Sequence, residues 1–375
     1  MERKYSHQLL ADMNKKATTI DANGLKIIVK PIPDVDEPGV MDPRLKATMK
    51  HLFRGIGGFL TKRLLKSIFN PNGDMLKSVQ RYRSMSMPGS IPVSENVDVR
   101  TDTVTYDEVK VPIRIYTAKN KTAELKPVLY YIHGGGFIGG TLEINEQLCR
   151  TMVEKTGCIA VQVGYRLGPE HPFPAGMNDC YEVLKWIYSN AESLGGDRRK
   201  ICVAGDSAGG NLAAVCSLRN KDEGAHMVMA QALIYPVTDN ANVNHNVTEG
   251  RKQYEIAASG SKDVNAFADA MGMMLTGYTM SQYMGVKDDT VPYFSPIYGD
   301  LCGVAPALMC QGEFELFRID NEAYARKLLQ AGVEVKFIRY RGCFHAFLDQ
   351  VGVLPQAEDI IDEIAAHMMR EAAKV

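Results

Sequence analysis

From about residue 96 to the C-terminus, β-type runs alternate with helical patterns, and this alternation constrains the fold more than any other feature of the chain. "VPIRIYTA" and "KPVLYYIHGGGF" read as strands, the second a continuous apolar run of the kind found where both faces of a parallel sheet are covered. "CIAVQVGYRL" reads as a third strand, "AGMNDCYEVLKWIYSNAESLGG" as a helix with a glycine stop, "KICVAGD" as a strand and "GGNLAAVCSLRN" as a helix. After "AQALIYPVTD" comes a methionine- and tyrosine-rich interval, Asn240 to about Tyr293. The alternation then resumes with the strand "ALMCQGE", the helix "DNEAYARKLLQAG", the strand "VEVKFIRYRG" and a terminal helix. This order predicts an α/β fold with a doubly wound, mostly parallel sheet and insertions.

Up to about residue 95 the texture differs. "DPRLKATMKHLFRGIGGFLTKRLLKSIF" carries Leu52, Phe53, Ile56, Leu60, Leu64 and Ile68 at helical spacing, with Lys50, Arg54, Lys62, Arg63 and Lys66 between them. Such a stripe must lie on something. A lid over a pocket is the favoured use, and a membrane surface is the rival. The expected organisation is an N-terminal helical cap over residues 1–105 and a catalytic domain over 106–375, with 240–293 contributing to the cap.

Formal net charge is −1 and the pI is near 6.7, so neither nucleic acid nor an anionic membrane is indicated as a partner. No stretch approaches the length of apolar sequence that a membrane span needs, and the first residues lack the apolar core of a secretory signal, so a cytoplasmic location is expected. The eight cysteines include no C-x-x-C pair. They are read as reduced, mostly buried thiols, without structural zinc or a disulfide framework.

Within this frame "VAGDSAGGNLAA" acquires a mechanical meaning. Gly-x-Ser-x-Gly alone is a loose pattern in a chain with 33 glycines. Between a buried strand and a helix, however, the flanking glycines let strand and helix approach, and Ser207 sits in the tight turn with its hydroxyl at a helix N-terminus. A serine nucleophile also needs a base and fixed donors for the oxyanion it creates. "HGGGF", His133 to Phe137, supplies backbone N–H groups at Gly135 and Gly136 after another strand, and the N–H of Ala208 completes the set. A phosphate-binding loop is disfavoured because no Gly-Lys-Ser/Thr accompanies the glycines.

With "HGGGF", "YRLGPEHPFPA" (Tyr165 to Ala175), "GDSAGGNLAA" (Gly205 to Ala214), "SPI" (Ser295 to Ile297) and "FHAF" (Phe344 to Phe347), the chain resembles the hormone-sensitive-lipase-like family of α/β-hydrolase carboxylesterases from about Val111 to the C-terminus. The resemblance implies a central, mostly parallel twisted sheet flanked by helices, a cap from the N-terminus and an insertion after the central strands. It implies the chain order Ser, acid, His. His345 stands where the family places its catalytic histidine. Gapless alignment through "EAYA" (Glu322 to Ala325) puts Glu315 at the position of the family's usual aspartate, with Glu313 and Asp320 as competitors. His133 and Gly134 belong to the oxyanion motif, and Arg166, Glu170 and Asp206 are implied to brace the turns beneath the site.

The expected activity is that of a serine esterase with a Ser207-His345-Glu315 triad, an acyl-enzyme intermediate and no metal or organic cofactor. The family favours a small-molecule ester with a short-to-medium acyl chain and admits a homodimer through exposed C-terminal sheet or helix surface. Met271, Met273, Met274, Leu275, Tyr278, Tyr283 and Met284 serve equally as pocket wall or as plain cap core. A deacetylase, an amidase or a lactonase would use the same machinery. A non-catalytic ligand-binding protein is the alternative of another class: plant gibberellin receptors resemble this family yet lack the catalytic histidine.

Overall fold

Ten strands form one sheet: β1 (Thr18–Ala22), β2 (Leu25–Lys30), β3 (Val97–Tyr106), β4 (Val109–Ala118), β5 (Lys126–Ile132), β6 (Ile159–Val163), β7 (Gly196–Asp206), β8 (Ala230–Ile234), β9 (Ala307–Phe314) and β10 (Val335–Phe344). The computed structural model describes residues 3–53, 63–67, 73–85, 89–94, 96–120, 123–275 and 280–375, with side chains for all of these except 49–53, 244 and 273–275. The spatial order is β1-β2-β10-β9-β8-β7-β5-β6-β4-β3. From β6 through β5, β7, β8, β9 and β10 to β2 neighbouring strands are parallel; β3, β4 and β1 pair antiparallel at the two ends.

Alternation along the buried strands builds two cores. Val128, Tyr130 and Ile132 of β5 face one layer with the helices Ala175–Leu194 and Ala208–Asp222, whereas Leu129 and Tyr131 face the other with the helices Glu146–Thr156 and Pro355–Ala372. Because the parallel strands all end at the same edge, the loops after β5, β7, β9 and β10 meet there, at the carboxyl end of the sheet where α/β folds build their sites.

Three expectations need correction. Residues 1–105 are not a purely helical cap: β1 and β2 form a hairpin whose second strand pairs in parallel with β10, Phe337 opposite Ile27 and Tyr340 opposite Lys30. The boundary near residue 105 also cuts a strand, since β3 pairs with β4 from Val97 onward. The physical reason in both cases is the ladder, which satisfies backbone groups that a separate cap would leave open. Finally, the stripe through Leu64 is displaced by one position, because Leu65 is buried and Leu64 is 47 % exposed. Leu52, Phe53, Ile56, Leu60 and Ile68, with Lys50, Arg54 and Lys62, lie outside the described side chains.

β10 is thus no edge strand, and its outer side is closed to a second copy by β2. The helices Pro43–Phe53 and Ser261–Leu275 pack together, tied by Lys46 to Asp263 at 2.7 Å, so N-terminal and inserted segments share one helical layer. The helix Met75–Arg83 joins the inserted segment through Val79, Ile138 and Tyr283. Among the described residues, no helix is long and apolar enough to cross a membrane.

Candidate active site

β7 ends at Asp206 and the next helix begins at Ala208, leaving Ser207 alone between them with φ 54° and ψ −118°. A non-glycine residue in that region carries about 1–3 kcal/mol of strain and needs surroundings that hold it there. Ser207 N–H donates to Ile234 O at 2.9 Å, and its carbonyl accepts from Asn211 N at 3.0 Å and Val237 N at 3.2 Å. The flanking glycines are required by close approach. A Cβ on Gly205 would come 2.3 Å from Gly209 O, and one on Gly209 would come 2.1 Å from Ile132 O.

His345 follows β10 directly. Its Nε2 lies 2.8 Å from Ser207 Oγ and its Nδ1 lies 2.7 Å from Glu315 Oε1. With a carboxylate at Nδ1, that nitrogen carries the proton, and Nε2 is left to accept the serine hydroxyl. Tyr235 and Phe317 pack on the imidazole with ring centroids 4.8 and 5.1 Å away. Burial opposes the charged imidazolium, but the Glu315 carboxylate, hydrogen-bonded to the ring, and the more distant Asp206 and Asp349 outweigh it and hold His345 above the ordinary histidine range.

Three carboxyl groups compete as the partner of that histidine. Glu315, fully buried just past β9, also accepts the N–H of Phe317 at 3.2 Å through the same oxygen that meets His345. Asp320 hydrogen-bonds the Asn246 amide instead. Burial first, then the charges of Asp239 and Glu315, push its carboxyl up to about 8 against the Asn246 hydrogen bond. Glu313 accepts from Gly342 N at 2.8 Å. The structure therefore brings Glu315 to His345 and turns the other two elsewhere.

The glycine loop after β5 turns through residues with positive φ: Gly135 at 121°, Gly136 at 62° and Phe137 at 62°. A Cβ on Gly135 would meet Gly139 O at 2.2 Å. Asp206 anchors the start of the loop from below, its Oδ1 accepting Gly134 N at 3.0 Å and Tyr131 OH at 2.8 Å, while burial pushes this carboxyl up to about 6. His133 is buried, stacked on Tyr165 at 4.5 Å, and pushed down to about 4 by burial. Its ring Nδ1 lies 2.7 Å from Gly134 O, so it is a neutral strut of the loop. Ala208 opens the helix directly after Ser207, so its N–H belongs to the first turn, whose N–H groups have no partner within the helix.

Arg166 forms a fork onto fully buried Asp179, with Nη2 to Oδ1 at 2.8 Å and Nε to Oδ2 at 3.0 Å, and Tyr106 OH joins the pair. Glu170 is held below the usual carboxylate range first by its hydrogen bond to Arg83. These two residues brace turns, away from the Ser207 hydroxyl. Of the expected pocket residues, Tyr283 and Met284 are buried core, Met271 is half-buried against Leu316 and Phe317, and Met273, Met274, Leu275 and Tyr278 lie outside the described side chains.

Sequence reasoning missed Tyr235, Asp349 and Arg83. Asp349 stands four residues after His345, accepts from the Asn145 amide at 3.3 Å, and is pushed up to about 7 by burial and by Asp206. The spacing from His345 was the available signal. Among the described residues, no group of three or more His, Cys, Asp or Glu side chains is arranged to hold a metal.

Fold and site together define an α/β-hydrolase, and comparison with known proteins agrees. A family described by the alpha/beta hydrolase fold matches residues 129–349. Carboxylesterase NlhH of Mycobacterium tuberculosis is 32% identical over 280 residues, spanning 74% of this chain and 84% of that protein. Ethyl acetate hydrolase of Pseudomonas putida is 31% identical over 278 residues, 70% of this chain and 81% of its own. The solved esterase of Pyrobaculum calidifontis superposes with a TM-score of 0.66 at 30% identity, covering 88% of this chain and 99% of that one. The chain belongs to the hormone-sensitive-lipase-like carboxylesterases of the α/β-hydrolase family.

Proposed function

We propose that this carboxylic ester hydrolase works through an acyl-enzyme on Ser207, with His345 as the base and Glu315 as the acid that orients it. The observation that carries the reading is the hydrogen-bonded series Glu315 Oε1, His345, Ser207 Oγ, with links of 2.7 and 2.8 Å. His345 takes the hydroxyl proton as Ser207 attacks the ester carbonyl. The N–H groups of Gly135, Gly136 and Ala208 hold the developing oxyanion, and His345 returns the proton to the leaving alcohol. Water, activated by the same imidazole, then releases the acid. Glu315 fixes the tautomer and stabilises the imidazolium between these steps.

The substrate is a small-molecule ester with a short-to-medium acyl chain. The relative named as an ethyl acetate hydrolase supports short chains, and Phe317, packed on Val237 and Leu316, sets an apolar ring beside the imidazole. The helices of residues 43–53, 75–83 and 261–275 are assigned as the cap over this site.

Hydrolysis of p-nitrophenyl esters from acetate to palmitate tests the reading. It expects an optimum at C2 to C8 and a Ser207→Ala variant with no activity above background. Absence of turnover at every chain length, with the protein folded, would move the non-catalytic binding reading to the front.

A further inference from the structure

The oxyanion loop is held from two sides. Below, Asp206 takes the N–H of Gly134. Above, Arg83, the last residue of the helix Met75–Arg83, reaches down with its guanidinium: Nε donates to Ile138 O at 2.6 Å and Nη2 to Gly168 O at 2.8 Å. The same group grips Glu170 with both ends of its fork, Nη1 to Oε1 and Nη2 to Oε2, each at 2.8 Å. Gly168 N in turn donates to Phe137 O at 2.9 Å. One side chain therefore spans the carbonyls that follow the loop's positive-φ residues and the turn that backs them.

We propose that Arg83 is a positioning residue for the oxyanion hole, acting through Ile138 and Gly168 to fix the directions of the Gly135 and Gly136 N–H groups. The inference rests on the esterase reading above. Its physical basis is the loop itself. Gly135, Gly136 and Phe137 lie in no helix or strand: Gly135 O accepts from Ile138 N at 3.2 Å and Gly139 N at 2.9 Å within the turn, and the carbonyls that follow, Phe137 O and Ile138 O, are held from outside by Gly168 N and Arg83. The ion pair with Glu170 is partly exposed and screened by solvent, so charge attraction alone holds little. The fork is the specific part, because a planar guanidinium can hold two carbonyls and a carboxylate at once whereas an ammonium is a single point charge. The same helix seals the loop. Tyr82 lies so close over Gly139 that a Cβ there would come 2.6 Å from the ring, and Ile138 is buried with Val79 and Tyr283.

The test compares wild type, Arg83→Met and Arg83→Lys on p-nitrophenyl butyrate, with kcat expressed per site titrated by a phosphonate. A second readout is inhibition by a trifluoromethyl ketone. Its carbonyl carbon takes Ser207 Oγ, the hydroxyl proton passes to His345, and the carbonyl oxygen becomes an oxyanion. In Arg83→Met, kcat is expected to fall about 10- to 100-fold, with KM within about twofold and the ketone weakened by a similar factor. Arg83→Lys keeps the charge and is expected to recover only a minor part of this loss. Wild-type kcat and ketone affinity in Arg83→Met would overturn the proposal. So would full recovery in Arg83→Lys, which would reduce Arg83 to an ion pair, or a lowered melting temperature with kcat per titrated site unchanged. If Arg83→Met does not fold, Arg83→Lys alone decides, with wild-type kcat as the overturning result. Failure of the esterase reading looks different: wild type itself would lack Ser207-dependent hydrolysis.

Discussion

Glu315 and Asp320 show how environment, more than residue type, assigns a role at this site. Both are buried carboxyls near the end of β9, yet only Glu315 turns an oxygen to His345, and Asp320 accepts from the Asn246 amide, its proton affinity raised by burial. Glu315→Gln is expected to lower kcat about a thousandfold, because the tautomer is no longer fixed and the imidazolium loses its counter-charge. Asp320→Asn is isosteric at a side chain that makes no contact with His345 and is expected to stay within about threefold of wild type; steady-state kinetics on p-nitrophenyl butyrate checks both. The pH profile follows from His345. The base must be neutral, and its affinity for protons is raised, so kcat/KM is expected to fall on the acid side with a midpoint above that of a free histidine. Asp349→Asn removes a negative charge that favours the imidazolium. The midpoint should then move to lower pH, by less than about one unit; an upward shift would contradict the assignment. That Ser207 and His345 would stand in the turns after two strands was legible because their motifs are local; the placement of Glu315 beside His345 needed alignment, and the contacts of Tyr235, Asp349 and Arg83 are made only when distant segments meet.

At the scale of elements, the elbow works because β5, β7 and the helix after Ser207 approach more closely than any side chain allows. Gly209→Ala would set a Cβ 2.1 Å from Ile132 O, so the helix must move off β5. The expected cost is about 1–3 kcal/mol of stability, read by denaturant unfolding, with a loss of kcat out of proportion to it. The sheet's other end behaves differently. Ile27 of β2 is fully buried, and Ile27→Ala is expected to cost about 2–5 kcal/mol while kcat per titrated site stays at wild type. Strands β4 to β7, β9 and β10 and the helices Ala175–Leu194, Ala208–Asp222, Arg318–Gln330 and Pro355–Ala372 were legible from period and glycine stops, whereas the helices Val243–Lys252 and Ser261–Leu275 lay in the undivided interval after Asn240. The hairpin of β1 and β2 was not, although Asn23 and Gly24, both at positive φ, are a strong turn signal. A lone hairpin is marginal, and this one completes its ladder on β10, some 300 residues away in sequence. The helix Glu146–Thr156 was missed for a related reason: the Asn145 side chain does not cap it and turns instead to Asp349.

The whole molecule places a strained serine at the carboxyl edge of a parallel sheet and holds the surrounding loops from both sides. Asp206 holds the glycine loop from the sheet through Gly134 N, and Arg83 of the helix Met75–Arg83 holds it from the opposite side through Ile138 O. The near-zero net charge gave no indication of a polyanion partner, and composition could not show that the N-terminal segment contributes strands β1, β2 and β3 to the sheet. The central claim is that Ser207, activated by His345, carries the acyl group. The most direct measurement is intact-mass and peptide mapping after reaction with a p-nitrophenyl phosphonate, on wild type and on Ser207→Ala. The account predicts one adduct per chain, located on Ser207, with activity lost in proportion and no adduct on Ser207→Ala. An adduct on another residue, or hydrolysis that survives in Ser207→Ala, would contradict it.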